Sequence, residues 1–173
     1  ILSHSGLELI LNSIPNILKE IPNFKLLIVG DGPNLSSLKQ QAKKIGVYEK
    51  IIFTGFVPYK EVPKFCSLAN LCINPFRIND MTVKLSPVKI FDFMSCGKPV
   101  LATPLKGMLH DFPKDSETII YEDLNNFEEK IISLLQKDCL EEIGDRSRKF
   151  VKEYFTWEIV AQKMLDEFEK MKN

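Results

Sequence analysis

Asp92 is the residue whose setting most invites chemistry. In the stretch Ser86 to Thr103, SPVKIFDFMSCGKPVLAT, it falls within a helical pattern among Ile90, Phe91, Phe93 and Met94. An acidic side chain in such company needs a partner. A pair of ligand hydroxyls would serve, because a carboxylate accepts hydrogen bonds on both oxygens. Lys89, three residues back on the same helix, would serve equally through an ion pair. Periodicity does not choose between them. Pro87 suits the first turn of this helix with Ser86 as its cap.

A second candidate is Gly30-Asp31-Gly32-Pro33, which closes the apolar run Lys25 to Val29. Glycines let a backbone approach a ligand closely, and the N–H groups of a following helix suit an anion. Short strand-to-helix turns also take glycine for steric reasons, so these residues alone leave a structural reading open. A dinucleotide fingerprint would need a third glycine at Leu35 and an acid after the next strand, where Thr54-Gly55 stands. No Walker loop occurs. Binding of NAD and hydrolysis of ATP both drop out.

The elements that must position these residues follow from spacing. Leu7, Leu11, Ile14, Leu18 and Ile21 form one apolar helical face, with a kink or local break expected at Pro15 and a stop at Pro22-Asn23. Lys25 to Val29 reads as a strand covered on both faces. Asn34 is placed to cap a helix running to Ile45, and Gly46 to stop it. Ile51 to Phe53 is a strand, Lys60 to Leu68 a short helix, and Leu71 to Ile73 a strand. Pro87 to Ser95 is a helix stopped by Gly97, Pro99 to Ala102 a strand, and Thr118 to Ile120 a further one. Helices follow over Asn126 to Gln136, Leu140 to Tyr154 and Trp157 to Met171, the last two as an appendage. This alternation predicts an α/β fold, a Rossmann-like parallel sheet with helices on both faces, as a single domain over residues 1–173 with a terminal helix at 156–171. Ligands of such sheets sit at the carboxyl ends of the strands. The loops there are Gly30 to Pro33, Thr54 to Pro58 and Asn74 to Arg77, with the run into Pro87.

Composition bounds the partners. The 173 residues are 45% hydrophobic and 27% charged, an ordinary globular balance. Lys plus Arg equals Asp plus Glu at 23 each, so no net field draws in a polyanion and nucleic acid is not expected as a partner. No apolar run approaches the roughly 18 residues of a membrane span, and no signal peptide is visible. The opening Ile1-Leu2 reads as the interior of a domain, so we expect a longer parent protein. Cys66, Cys72, Cys96 and Cys139 form no CxxC pair, and His4 and His110 lie far from them in sequence. Buried reduced thiols in a cytoplasmic protein are expected rather than a zinc site. Trp157 and Phe155 are expected to anchor the terminal helix. Asp115 and Glu117 are expected in solvent. Arg146, Arg148, Lys149 and Lys152 interleave with acids, as on a solvated face.

At this point the sequence resembles the C-terminal domain of GT-B-fold retaining glycosyltransferases. The likeness rests on KLLIVGDGP (Lys25 to Pro33), IIFTGFVP (Ile51 to Pro58), LCINPF (Leu71 to Phe76), PVKIFDFMSCGKPVLAT (Pro87 to Thr103) and YFTWEIVAQK (Tyr154 to Lys163), in that order. It implies transfer of a hexose from a nucleotide diphosphate sugar with retention, no metal or other cofactor, and a role in polysaccharide biosynthesis. The acceptor, a glycan or lipid-linked molecule, would be held by an N-terminal domain of the same protein. The full-length enzyme would be cytoplasmic, either free or peripheral to the inner face of the membrane; the sequence leaves both open. By this resemblance Asp92 matches the acid that holds the ribose hydroxyls. Gly30, Gly32, Phe56 and Val57 match the neighbourhood of the nucleobase, and Ser86 and Val88 the cradle of the diphosphate. Thr156-Trp157 matches the start of a terminal helix that returns toward the other domain.

Two departures stand out. The family's first glutamate would fall eight positions before Asp92, where this chain has Lys84; Pro87 to Phe93 is instead similar to a PxKxxEY subgroup. The base that precedes the first helix's glycine is here Ser5, before Gly6. Either Lys84 or Lys89 therefore supplies positive charge to the leaving diphosphate, or catalysis is weaker than the family's norm. A sugar-nucleotide epimerase of GT-B type would need more acids and histidines than His4 and His110 supply. A nucleotide-binding relative without activity is the other alternative, prompted by Lys84 and Ser5. The fragment alone is expected to bind donor and transfer nothing.

Overall fold

Two parallel ribbons carry the chain's strands, and helices cover them. The computed structural model describes residues 1–171. Helix α1 (Leu7–Glu20) buries Ile10, Leu11, Ile14 and Ile17, the face its spacing predicts. Pro15 breaks nothing: the helix is continuous across it. Pro15 stands on the exposed side, where water can serve the carbonyl that its ring deprives of a donor.

Strand β1 (Leu26–Val29) pairs in parallel with β2 (Ile51–Gly55), with a register shift at Ile28/Val29. Helix α2 (Leu35–Lys44) connects them and buries Leu38 and Ala42. Asn34 occupies the position before α2 but does not cap it. Its backbone is already helical at φ −89° and ψ −2°, whereas a capping side chain needs an extended one. Helix α3 (Val62–Leu68) leads to β3 (Cys72–Asn74), and α4 (Lys89–Ser95) to β4 (Val100–Ala102). Helix α5 (Lys106–Asp111), six residues with a glycine at its second position, gave no periodic signal in sequence. Strand β5 (Ile120–Tyr121) precedes α6 (Phe127–Leu135), α7 (Leu140–Tyr154) and α8 (Trp157–Lys170).

The strands are parallel throughout, yet their hydrogen-bonded ladders are two, β1–β2 and β3–β4–β5, rather than one continuous sheet. A shared core joins them. Leu101 of β4, with Ile73 and Ile120 beside it, packs into the cluster formed by α1, α2, α6 and the first ribbon. Cys72, Val100 and Ala102, pointing the other way, pack against Ile90 and Met94 of α4, Met108 of α5, Phe112 and Val151 of α7. Alternate strand residues thus enter opposite cores, which is why β4 is buried at every position. Helices on both faces follow.

The last two helices differ from expectation and from each other. Helix α7 is part of the core, burying Gly144, Ser147 and Val151. Helix α8 buries no residue, so Trp157 in its first turn finds nothing to pack on and is 86% exposed. Phe155 anchors this region, lying 5.2 Å from Phe91 and 5.3 Å from Phe112 between ring centres. The Thr156 hydroxyl caps α8 by accepting from the Ile159 N–H. Arg146, Arg148, Lys149 and Lys152 are exposed, as are Asp115 and Glu117; Arg146 pairs with Glu117. Among the described residues, no helix is long and apolar enough to cross a membrane.

Gly144 allows α7 to press on the turn between α4 and β4. A Cβ there would lie 2.1 Å from the Gly97 carbonyl oxygen. Helix propensity alone favours Gly144→Ala by about 1 kcal/mol. Overpacking should reverse the sign, and we expect the variant to lose about 1–3 kcal/mol in urea unfolding.

Candidate functional site

Parallel strands deliver their carboxyl ends to one edge, and there the loops are tied together. The Gly30 N–H donates to the Gly55 carbonyl at 3.0 Å and to the Thr54 hydroxyl at 3.3 Å. Gly30 has φ +116° and nothing within 4 Å of where a Cβ would stand, so conformation and open space both mark it. Gly32 is held differently: a Cβ would strike the backbone of Ile1 at 2.1 Å. Beyond β2, Phe56 stands 77% exposed and Val57 is half-buried.

Asp92 sits on α4 between Ile90 and Met94, both wholly buried, yet is itself only partly covered. With Tyr59, Val62, Pro63, Ser95 and Cys96 it lines an open pocket of about 220 Å³. The Tyr59 hydroxyl donates to Asp92 Oδ1 at 2.7 Å. That bond to a carboxylate holds the Tyr59 phenol above its usual pKa. Asp92 makes no ion pair with Lys89, so the helix-neighbour reading fails.

Lys89 goes elsewhere. Its ammonium lies 4.1 Å from the centre of the Phe76 ring. Burial lowers its pKa from 10.5 to about 8, and among the described residues no carboxylate pairs with it. Phe76 packs edge-on against His4 at 5.0 Å, and Gly6 presses so closely on Pro75 that a Cβ would lie 1.9 Å from its carbonyl oxygen. The charge of Lys89 therefore stands one ring away from the His4-Ser5-Gly6 turn, where this chain lacks a base. Lys84, by contrast, is exposed and makes no ion pair among the described residues.

Comparison with known proteins adds what geometry alone does not. The profile of Glycosyl transferases group 1 matches residues 2–137. The chain belongs to this family. It is 25% identical over 166 residues to a GDP-mannose-dependent alpha-(1-6)-phosphatidylinositol monomannoside mannosyltransferase of Mycobacterium tuberculosis, covering 93% of this chain and 43% of that protein. The chain thus spans less than half the length of this relative. A crystal structure of S. aureus TarM with UDP superposes at a TM-score of 0.81, with 18% identity, over 96% of this chain and 33% of that one. The C-terminal domain of the group 1 protein LpcC from Francisella tularensis superposes at 0.73, with 18% identity, over 91% and 83%. The fold is that of the C-terminal half of GT-B glycosyltransferases.

Within this group 1 domain the start of α4 departs from expectation. Ser86 is not its cap. The chain is already helical at Val88, with φ −52° and ψ −36°, and the Ile90 N–H reaches the Pro87 carbonyl, leaving Ser86 upstream of the first turn. The Ser86 hydroxyl is buried without a partner. The backbone N–H groups of Val88 and Lys89 donate to no backbone acceptor among the described residues, and the Val88 side chain is 71% exposed. Asn74, at the end of β3, is fully buried with Oδ1 unpaired and its amide only 3.8 Å from the Met108 sulfur. Sequence reasoning missed Tyr59, and it placed Asn74 in a strand-end loop without foreseeing its buried, unpaired amide. Asn74 carried a signal, since an amide closing an apolar strand is out of place there. Among the described residues, no three His, Cys, Asp or Glu side chains gather as metal ligands.

Lys89 gives a pH signature. Below about pH 8 it is charged in both folded and unfolded chains. Between about 8 and 10.5 the folded protein has released the proton that the unfolded chain still binds, so stability rises with pH across that window. Urea unfolding of wild type against Lys89→Met should show a relative gain for wild type, on the order of 2–3 kcal/mol from pH 7.5 to 10.5. A flat difference would mean the ammonium is solvated.

Proposed function

We propose that this chain is the donor-binding half of a glycosyltransferase that moves a hexose from a nucleotide diphosphate sugar to a glycan or lipid-linked acceptor, with retention. The observation that carries the reading is Asp92: a carboxylate kept open to the pocket between α3 and α4 by a helix that buries Ile90 and Met94 in the core. The mycobacterial relative is GDP-mannose-dependent by name, and TarM was crystallised with UDP, which supports a nucleotide as the ligand.

In this reading Asp92 accepts hydrogen bonds from the ribose hydroxyls. The exposed face of Phe56, with Val57, Gly30 and Gly32, borders the base. The free N–H groups at Val88 and Lys89, the unpartnered Ser86 hydroxyl and the Lys89 ammonium meet the diphosphate. When the bond from the anomeric carbon to the phosphate oxygen breaks, the sugar gains oxocarbenium character and the nucleoside diphosphate gains charge. A desolvated, unpaired ammonium stabilises that charge more than a solvated one would. Lys89 rather than Lys84 fits this role, by enclosure and by its place beside the Ser5 turn. The acceptor hydroxyl adds on the face the diphosphate leaves, and its proton passes to the departing phosphate. Protein groups supply the positive charge, so the reading calls for no metal. The acceptor belongs to a second, N-terminal domain, and the full-length enzyme works in the cytoplasm at the membrane's inner face.

Calorimetry with UDP, GDP and ADP tests the donor site directly. One of them should bind the 173-residue chain, and Asp92→Ala should weaken that nucleotide at least about ten-fold. Silence with all three would refute the reading. The chain alone should transfer no sugar. In the full-length enzyme Lys89→Met should lower kcat by about 10²–10³. Because Lys89 acts while protonated, wild-type kcat/KM for the donor should fall as pH rises through about 8, and the variant should lack that fall.

A further inference from the structure

Asp92 does not face its pocket alone. Tyr59 lies on the single 3-10 turn Tyr59–Glu61, directly after the Phe56-Val57-Pro58 loop, and its ring is 73% exposed. Burial gives so exposed a ring little reason to hold one place, so the 2.7 Å bond to Asp92 Oδ1 is what fixes it there. The bond also acts in the other direction. The outer torsion of an aspartate is broad and roughly two-fold, so an unrestrained carboxylate swings through many aims. Tyr59 takes one of its roughly four acceptor positions and sets its plane. Oδ2 receives no donor among the described residues.

The space in front of that oxygen is small. At about 220 Å³, with Val62 and Pro63 on one wall and Ser95 on another, it falls below the roughly 300–1,000 Å³ of sites that enclose a whole ligand. It suits a pentose ring, with apolar edges to meet C–H groups and one acceptor group to meet a hydroxyl pair.

We infer that Tyr59 is the positioning residue that makes this site specific for ribose over 2′-deoxyribose, by holding the Asp92 carboxylate where it accepts both hydroxyls. The inference rests on the donor-site reading of Asp92. A fixed acceptor left facing a missing hydroxyl is unpaired, and that loss creates discrimination. A carboxylate free to turn would re-aim at the 3′-hydroxyl or at water and discriminate less. Tyr59 thus acts through Asp92, and its removal should change the ratio of two affinities more than either alone.

The test uses the 173-residue chain and calorimetric titration with UDP, GDP, ADP and their 2′-deoxy counterparts. Tyr59→Phe deletes the hydroxyl and keeps the ring. It should reduce the ribo-over-deoxy preference about five-fold, while Asp92→Ala removes the preference and weakens the ribonucleotide. An unchanged ratio in Tyr59→Phe, with Asp92→Ala still impaired, overturns the role of Tyr59 and leaves the donor site standing. Unchanged binding in Asp92→Ala, or no binding of any of the three ribonucleotides by wild type, overturns both. Loss of fold would lower the two affinities together and leave their ratio unmoved, so the ratio separates a positioning role from a structural one.

Discussion

One short helix must serve two masters, and the rest of the structure follows from that constraint. Helix α4 buries Ile90 and Met94 completely in the core under β4, while Asp92, between them in sequence, has to stay in contact with water. Seven residues give just under two turns, so the buried stripe and the open carboxylate are separated by the width of the helix alone. Helix α7 holds the buried side in place through the contact at Gly144, and Phe155 closes the same side against Phe91 and Phe112. On the open side nothing but Tyr59 touches the carboxylate by hydrogen bond among the described residues.

Charge placement is the second thread. The group 1 resemblance leads one to look for a base at position 5, and Ser5 is buried there instead. The structure puts the ammonium of Lys89 over Phe76, whose ring also packs on His4. Position in sequence and position in space have separated: the chain supplies a cation at that corner from a different element. Such a cation is costly to hold, since burial lowers its pKa and no carboxylate offsets it. Stability given up at one residue is the usual mark of a group kept for a purpose other than folding.

Much of the architecture was legible. Gly46 and Gly97 end their helices with φ of +75° and +68°, as placed from sequence, and the strand ends collect the loops singled out from composition. Asp92 was legible because an acid in an apolar helical pattern breaks a rule. What escaped was set by neighbours remote in sequence. Tyr59 reaches Asp92 across 33 positions, a relation no local pattern encodes. Asn34 has the right chemistry for a cap but a helical backbone, and Ser86 stands upstream of where α4 begins; where a helix starts answers to packing. Trp157 was misread because a large aromatic is usually buried, and α8 offers it no surface. Separation of the ladders likewise depends on where β1 and β3 lie, and not on their own residues.

The tie between Gly30 and Gly55 has an electrical consequence. Its N–H is already engaged by the Gly55 carbonyl and the Thr54 hydroxyl, and the Gly32 N–H by Asp31 Oδ1 at 2.6 Å. At the end of β1 the two glycine amides are therefore spent, and Asp31 between them adds an anionic side chain. At the α4 end, unengaged N–H groups and an ammonium wait together. The two loops thus differ in sign: one sets a carboxylate beside satisfied glycine amides, the other an ammonium beside amides left open. An anion is repelled at the first and finds donors at the second.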